Sequence, residues 1–141
     1  MSEVRFRLTA AGNSAQGSFR RVLCVCSVGM LRSPTVAEVL SREPFGYNTR
    51  SAGIDEDYAL VVVDKPLLNW AQEIVVMEPD HRRQVENLLA DYMLNPVPVL
   101  CLDIPDDFDF REPRLVSMVP KRYRRAVHEH ATRLSRGEAV A

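Results

Sequence analysis

Short apolar runs separated by helix-like segments dominate the hydrophobic pattern of this chain. Three runs, 21–26, 73–77 and 96–102, are rich in Val, Ile, Leu and Cys and are nearly continuous rather than alternating. Such runs are typical of strands buried on both faces of a parallel sheet. A more polar stretch at 47–51 has the length and flanks of a fourth strand, second in chain order. We therefore predict four strands.

The segments between these strands predict helices. Ser33 and Pro34 are suited to the cap and first position of a helix that ends before Pro44. A short helix is predicted over 64–70, with Asp64 as its cap, and another begins at 78–80. The latter carries an apolar stripe formed by Val85, Leu88, Leu89 and Tyr92.

The last third of the chain is predicted to be helical in two pieces, 112–118 and 121–135. A break is expected at Pro120, because proline inside a helix removes one hydrogen bond and clashes with the preceding turn. The whole pattern therefore alternates strands with helices and predicts an α/β fold, a parallel sheet covered by helices on both faces. Sites in such folds lie at the carboxyl ends of the strands.

Length and composition indicate one ordinary globular domain. The chain has 141 residues, 46% hydrophobic and 26% charged, with a net charge of −1. Residues 1–20 look like an N-terminal extension, flexible or forming a short added strand, and 21–141 form the domain. The charge favours neither nucleic acid nor a membrane as a partner, and the absence of a leader-like or spanning segment predicts a cytoplasmic location.

Cysteines and histidines offer few metal ligands. Cys24, Cys26 and Cys101 are an odd number with spacings that suit neither a disulfide framework nor a zinc site, so we expect reduced thiols, with Cys24 and Cys101 buried in strands. His81, His128 and His130 are expected on the solvated surface. The basic cluster 121–125 is expected on a solvated helix face, with a contact to a phosphoprotein or nucleic acid as the alternative. We predict no metal and no cofactor.

One constellation carries recognisable chemistry. Cys26 and Arg32 are separated by five residues, a buried strand precedes the cysteine, and a helix begins directly behind the arginine. Successive N–H groups of such a loop, 27–33, can surround an anion, and the positive end of the helix points at the same centre. That field also stabilises a thiolate, so Cys26 is expected to be ionised at neutral pH.

Arg32 and Ser33 complete this constellation. A guanidinium offers two parallel donors to phosphoryl oxygens and remains charged throughout a reaction. The Ser33 hydroxyl can donate to the cysteine sulfur, although a role as helix cap alone is the alternative. The sequence thus predicts a phosphate-binding loop formed by Ser27, Val28, Gly29, Met30, Leu31, Arg32 and Ser33.

The segment VLCVCSVGMLRSPT at 22–35 resembles the signature of low-molecular-weight protein tyrosine phosphatases. SAG at 51–53 is similar to that family's turn after the second strand, WAQEIVVM at 70–77 to its third-strand block, and DIPDDF at 103–108 to its acid loop. The resemblance implies a three-layer, flavodoxin-like fold with a four-stranded parallel sheet in the order 2-1-3-4. It also implies a cysteine nucleophile at Cys26 and a general acid on the acid loop.

Aligning the acid loop places the general acid on Asp106, whereas Asp103, Asp107 and Asp109 are expected to be solvated turn residues. Three departures from the family pattern stand out. Val28-Gly29 replaces Gly-Asn, so the Asn side chain that would tie the loop to the region of Ser51 is missing. Leu31 replaces a second cysteine, and the segment between Gly53 and Trp70 is short, which reduces the wall around the substrate.

Aromatic and apolar side chains beside the loop are candidates for substrate contact. Tyr58, and less directly Tyr47, could supply a stacking face, although packing or surface roles are the alternative. Met30 stands where the family commonly has Ile, and where similar arginine-phosphate hydrolases have Thr, and is expected to keep the pocket apolar.

The function implied is hydrolysis of phosphotyrosine or small aryl phosphates through a cysteinyl-phosphate, with a phosphorylated protein or small phosphate ester as partner. Two alternatives stay open. One is a phosphate- or phosphoprotein-binding module of the same fold with little catalysis. The other is a thiol-dependent arsenate reductase, which calls for two further downstream cysteines where this chain has only Cys101.

Overall fold

The structure, a computed structural model, describes residues 20–29 and 31–137. The predicted N-terminal extension, apart from residue 20, lies outside the described residues. Four strands alternate with four helices: β1 (Arg21–Cys26), α1 (Arg32–Ser41), β2 (Asn48–Gly53), α2 (Lys65–Trp70), β3 (Glu73–Val76), α3 (Pro79–Asp91), β4 (Val99–Cys101) and α4 (Pro113–Ser135).

The strands form one parallel sheet in the order β2-β1-β3-β4, which confirms the predicted fold. β1 is central and pairs with β2 along its whole length, so that Cys26 lies opposite Gly53. On its other side β1 pairs with β3, and Val25 lies opposite Val76. The loops that follow β1, β2 and β3 therefore leave the sheet side by side at its carboxyl edge.

Alternate residues of β1 point into two separate cores. Val22, Cys24 and Cys26 face α1 and α4, whereas Leu23 and Val25 face α2 and α3. All five side chains are buried. Burial on both faces explains why this strand has a continuous apolar sequence, and it holds the end of β1 rigidly at the centre of the sheet.

Several predicted boundaries were wrong. β2 extends through Ser51 to Gly53, which we had expected to be a turn, because these residues pair with Cys24 to Cys26 of β1. β4 is only three residues long and lies at the edge of the sheet. Cys101 is accordingly half-buried, not buried as expected, since its outer side has no neighbouring strand among the described residues.

The two predicted C-terminal helices are a single helix. α4 passes through Pro120 without a break, although proline cannot donate to the carbonyl four residues before it. Buried side chains on both sides of the proline, Leu115 and Val119 before it and Tyr123 and Ala126 after it, pack on the same core. This continuous contact with the sheet compensates for the lost hydrogen bond.

Among the described residues, no helix has the length and apolar character needed to cross a membrane.

Candidate active site

Cys26 ends the central strand and lies directly in front of α1. Its side chain is 3% exposed, and its Sγ is 3.1 Å from the backbone nitrogen of Gly29. That N–H donates to the sulfur, as expected of a loop whose amides converge on an anion. The segment that follows β1 therefore brings a backbone amide to the sulfur, and the first turn of α1 lies close by.

Ser33 lies within α1 rather than capping it. The helix begins at Arg32 and its cap position is Leu31, so the predicted cap was wrong. The buried hydroxyl of Ser33 instead lies 3.1 Å from Cys26 Sγ and 3.4 Å from the carbonyl oxygen of Ala52. A hydroxyl has one proton to donate, so it can serve the carbonyl while the sulfur is a thiol and turn to the sulfur when it is a thiolate.

Backbone hydrogen bonds tie the loop to the segment that follows β2. The N–H of Ile54 donates to the carbonyl of Cys26 over 2.9 Å, and the N–H of Asp55 donates to the carbonyl of Ser27 over 2.8 Å. Gly29 has a positive φ of 78°, a conformation that glycine adopts at no cost. Main-chain contacts thus hold the loop against β2, where the family resemblance had suggested an Asn side chain.

Arg32 is buried, only 2% exposed, and its charge is balanced by groups from two other loops. Its Nη1 donates to Glu78 Oε2 over 2.6 Å and to the carbonyl of Ile104 over 2.8 Å. Its Nε lies 3.5 Å from Asp106 Oδ1. Burying an arginine without partners would be very costly, so these acceptors are what allow the guanidinium to lie behind the loop in a fixed orientation.

Asp106 is 65% exposed, on the loop between β4 and α4. Contacts at both ends hold this loop. At its start the N–H of Ile104 donates to the carbonyl of Met77 over 2.8 Å. At its end Arg111 donates from its backbone N–H to Thr35 Oγ1 over 2.9 Å, and its guanidinium makes two bonds of 2.8 and 2.7 Å to Glu38. The loop is therefore attached to α1, the helix that carries Arg32.

A cavity of about 280 Å³ opens at the centre of these elements. Its lining brings together residues of the predicted phosphate loop and the predicted general acid: Cys26, Ser27, Val28, Leu31, Arg32 and Asp106. The volume has room for a phosphoryl group with a small attached group. The residues that line the cavity thus include a thiol, a guanidinium and a carboxylate.

Glu78 and His81 also belong to this site, and sequence reasoning missed both roles. We had expected His81 on the surface, but its side chain is 3% exposed and its Nε2 lies 3.0 Å from Ser27 Oγ. Burial lowers the pKa of this histidine below its usual value of 6.5, which favours the neutral ring. The signal was the position of 78–81 directly after β3, since β3 lies beside β1 in the sheet.

Neither Tyr47 nor Tyr58, the aromatic candidates for substrate contact, lines the cavity. Tyr47 has the packing role that was the alternative to substrate contact: it lies in an aromatic cluster with Phe45 and Tyr123, beside the amino end of β2 and away from the loop. Tyr58 is 73% exposed on the segment after β2 and does not line the cavity. Met30 lies outside the described residues.

The remaining cysteines and histidines do not line the cavity. Cys24 is fully buried, as expected, and burial raises the pKa of its thiol far above the usual value. His128 is exposed, as predicted, while His130 is half-buried on α4. The described part of the chain contains no group of three or more His, Cys, Asp or Glu side chains arranged to hold a metal ion.

Comparison with known proteins gives structural neighbours only. No family model matches the sequence, and no curated protein matches it. The tyrosine phosphatase Wzb of Escherichia coli K30, solved with phosphate, matches with a TM-score of 0.58 and 16% identity, over 79% of this chain and 98% of that one. Vibrio vulnificus Wzb, solved with benzylphosphonate, matches with a TM-score of 0.57 and 18% identity, over 81% and 99% of the two chains.

The YwlE arginine phosphatase of Geobacillus stearothermophilus matches with a TM-score of 0.55 and 19% identity, over 82% of this chain and 96% of that one. Each match covers nearly the whole length of the neighbour, so the similarity concerns a complete domain rather than a shared motif. At such identities the similarity establishes architecture and leaves function to the site. The chain therefore has the fold of these tyrosine and arginine phosphatases.

Proposed function

We propose that this protein is a phosphomonoesterase that hydrolyses phosphotyrosine or small aryl phosphates through a cysteinyl-phosphate on Cys26. The observation that carries the proposal is the shared cavity, in which the sulfur of Cys26, the guanidinium of Arg32 and the carboxyl of Asp106 face one space. A nucleophile, an anion clamp and a proton donor are the three groups that phosphoryl transfer to sulfur needs.

In the first step the thiolate of Cys26 attacks phosphorus, and the bond from phosphorus to the leaving oxygen breaks. Asp106 gives its proton to that oxygen, so the alcohol or phenol departs neutral and Asp106 becomes a carboxylate. Asp106 is suited to this because its loop places it at the mouth of the cavity, within reach of both solvent and Arg32.

In the second step the Asp106 carboxylate takes a proton from water, and the resulting hydroxyl attacks phosphorus. The sulfur–phosphorus bond breaks, inorganic phosphate forms and the thiolate of Cys26 is regenerated. Ser33 supports this departure, because its hydroxyl lies 3.1 Å from the sulfur and can donate to the thiolate. The N–H of Gly29, also 3.1 Å from the sulfur, adds a second donor.

Arg32 stabilises the charge on the transferred group. Its Nη1 is occupied by Glu78 and the Ile104 carbonyl, which leaves the edge carrying Nε to face the cavity and Asp106. An orientation fixed in advance costs no reorganisation when charge moves between phosphoryl oxygens. The clamp is thus ready before substrate binds.

The cavity and the structural neighbours support the proposed substrate class. Val28 and Leu31 make much of the lining apolar, which suits an aromatic leaving group. Neighbours of the same fold are tyrosine phosphatases, one of them solved with benzylphosphonate, a phosphonate that bears an aromatic ring. Both observations support aryl phosphates as substrates.

The test is turnover of para-nitrophenyl phosphate by the reduced protein at mildly acidic pH. Cys26→Ser is expected to lower kcat by at least about a thousandfold, since the covalent route is lost. Cys101→Ser, on the edge strand, is the matched control and should retain wild-type turnover. Acid quenching during turnover should leave a phosphoryl group on Cys26, detectable by mass spectrometry. Persistent turnover by Cys26→Ser would refute the mechanism.

A further inference from the structure

We propose that His81 is a positioning residue for this reaction: its hydrogen bond to Ser27 holds the first residue of the phosphate loop in the geometry that phosphoryl transfer requires. The inference deepens the proposed function and rests on it. It concerns a residue that does not line the cavity and contacts no reacting atom. Its effect must therefore pass through Ser27 and Glu78.

The hydrogen bonds of His81 define which of its nitrogens carries the proton. The backbone N–H of Glu78 donates to Nδ1 over 3.2 Å, so Nδ1 is the acceptor and has no hydrogen. In the neutral ring the proton is then on Nε2, which lies 3.0 Å from Ser27 Oγ and donates to it. One backbone contact of α3 thus converts the other ring nitrogen into a donor aimed at the phosphate loop.

Packing keeps the ring in this orientation. His81 is 3% exposed, so the imidazole has little room to rotate, and neither nitrogen has free access to water. It also lies in the first turn of α3, anchored through the N–H of Glu78 at the helix cap. The donor to Ser27 therefore comes from a rigid element and not from a flexible side chain on the surface.

Ser27 is held by residues that follow β2 and β3, the two strands that flank β1 in the sheet. On the β2 side the N–H of Asp55 donates to the Ser27 carbonyl over 2.8 Å. On the β3 side His81 binds the Ser27 hydroxyl. Removing the second contact would leave the loop attached along one side only, and Gly29, two residues later, contributes no side chain to stiffen it.

The same histidine is linked to the phosphate clamp. Glu78, whose N–H binds His81 Nδ1, accepts from Arg32 Nη1 over 2.6 Å through its side chain. His81 therefore contacts both the residue that follows the nucleophile and the residue that orients the guanidinium. Since small displacements of positioned groups reduce the rate strongly, loosening this link should lower kcat more than it raises KM.

Two substitutions separate the two hydrogen bonds of the ring. Gln can place its amide nitrogen near the position of Nε2 and still donate to Ser27. Asn is shorter: its oxygen can accept from the Glu78 N–H, but its nitrogen does not reach Ser27. We expect His81→Asn to lose about tenfold in kcat/KM, roughly the factor attached to one buried hydrogen bond, and His81→Gln to recover most of it.

Ser27→Ala tests the same bond from the loop without altering α3. It should match His81→Asn, and the double variant should be no worse than either alone, because both remove one interaction. His128→Asn, at an exposed histidine of α4, is the control for histidine replacement and should behave as wild type. Urea unfolding of each variant reports whether the fold is intact.

Affinity for inorganic phosphate, measured by calorimetry, separates this inference from the proposed function. Weaker phosphate binding by both His81→Asn and Ser27→Ala, in a wild type that binds phosphate without turnover, would support the positioning role while refuting catalysis. Two results in a wild type that does turn over would overturn the positioning role and leave the proposed phosphatase function standing. One is additive losses of kcat/KM in the His81→Asn, Ser27→Ala double variant, and the other is an unchanged kcat/KM in Ser27→Ala. A wild type that neither binds phosphate nor turns over would refute both.

Discussion

Gly29, in the loop that follows β1, and Gly53, at the end of β2, are in close main-chain contact. A Cβ on Gly29 would be 2.7 Å from the nitrogen of Gly53, and a Cβ on Gly53 would be 2.5 Å from the carbonyl carbon of Val28. Neither position has room for a side chain, because the obstructing atoms are main chain. The loop is therefore in direct contact with the end of β2, and a side chain at either glycine would push the two segments apart.

Gly53→Ala is expected to displace the phosphate loop and lower kcat/KM by at least about tenfold, since positioned N–H groups lose their alignment. Steady-state kinetics on an aryl phosphate would measure the loss. Gly46→Ala is the matched control: Gly46 has a φ of 64°, and a Cβ there would meet nothing within 4 Å. That control should cost only about 1 kcal/mol of stability and leave kcat unchanged. Equal kinetics for both variants would contradict the contact's role.

Asp106→Asn should lower kcat by about a hundredfold or more for poor leaving groups, because the amide cannot protonate the departing oxygen. The effect should shrink for leaving groups that depart readily without a proton. A series of aryl phosphates with phenols of different acidity would measure this dependence. Asp107→Asn is the control on the same loop, and a larger loss in that variant than in Asp106→Asn would reassign the general acid.

Glu73→Gln should stabilise the protein at neutral pH. The Glu73 carboxyl is buried beneath α4 and accepts from the Tyr123 hydroxyl over 2.8 Å, while Arg20 is 3.8 Å away. Burial raises its pKa above the usual 4.5, so the folded state holds this proton more tightly than the unfolded state. The free energy of unfolding contributed by Glu73 therefore falls as pH rises from 4.5 through the folded pKa.

Gln remains neutral and can still accept from Tyr123, so the variant should lose this pH dependence. Urea unfolding below pH 4.5 and at neutral pH would measure it, with the exposed Glu56→Gln as control. Glu73→Gln is expected to raise the free energy of unfolding at neutral pH and to leave it unchanged below pH 4.5. A lower stability than wild type at neutral pH would show that the charged carboxylate is favourable.

Pro120→Ala should raise the free energy of unfolding by about 1–3 kcal/mol, because alanine restores a hydrogen bond within α4 and removes a steric clash. Pro113→Ala, in the first turn of the same helix, is the control, because an N–H at that position has no partner in the helix. Its free energy of unfolding is expected to change by about 0.5 kcal/mol or less. Urea unfolding measures both. A destabilised Pro120→Ala would mean that packing of the ring outweighs the restored bond.

The existence of the four strands and of the connection between Cys26 and Arg32 could be predicted because their signals are local. β1 was predicted with its observed bounds, Arg21–Cys26, since burial on both faces requires a continuous apolar sequence. The cap of α2 at Asp64 was also confirmed: its carboxylate accepts from the N–H of Leu67 over 3.0 Å. The α/β class followed from the alternation of strands and helices, whereas the strand order 2-1-3-4 came from the family resemblance.

The sequence by itself determined that β1 ends at Cys26 and that a short connection separates Cys26 from Arg32, whereas the first residue of α1 was predicted two residues too late. Only the tertiary structure decided what surrounds them. Glu78 and His81 lie near Arg32 and Ser27 because β3 pairs with β1. α4 continues through Pro120 because its residues before and after the proline pack on the same core. These contacts join residues far apart in the chain, and their energies depend on burial and distance, which no local pattern of residues encodes.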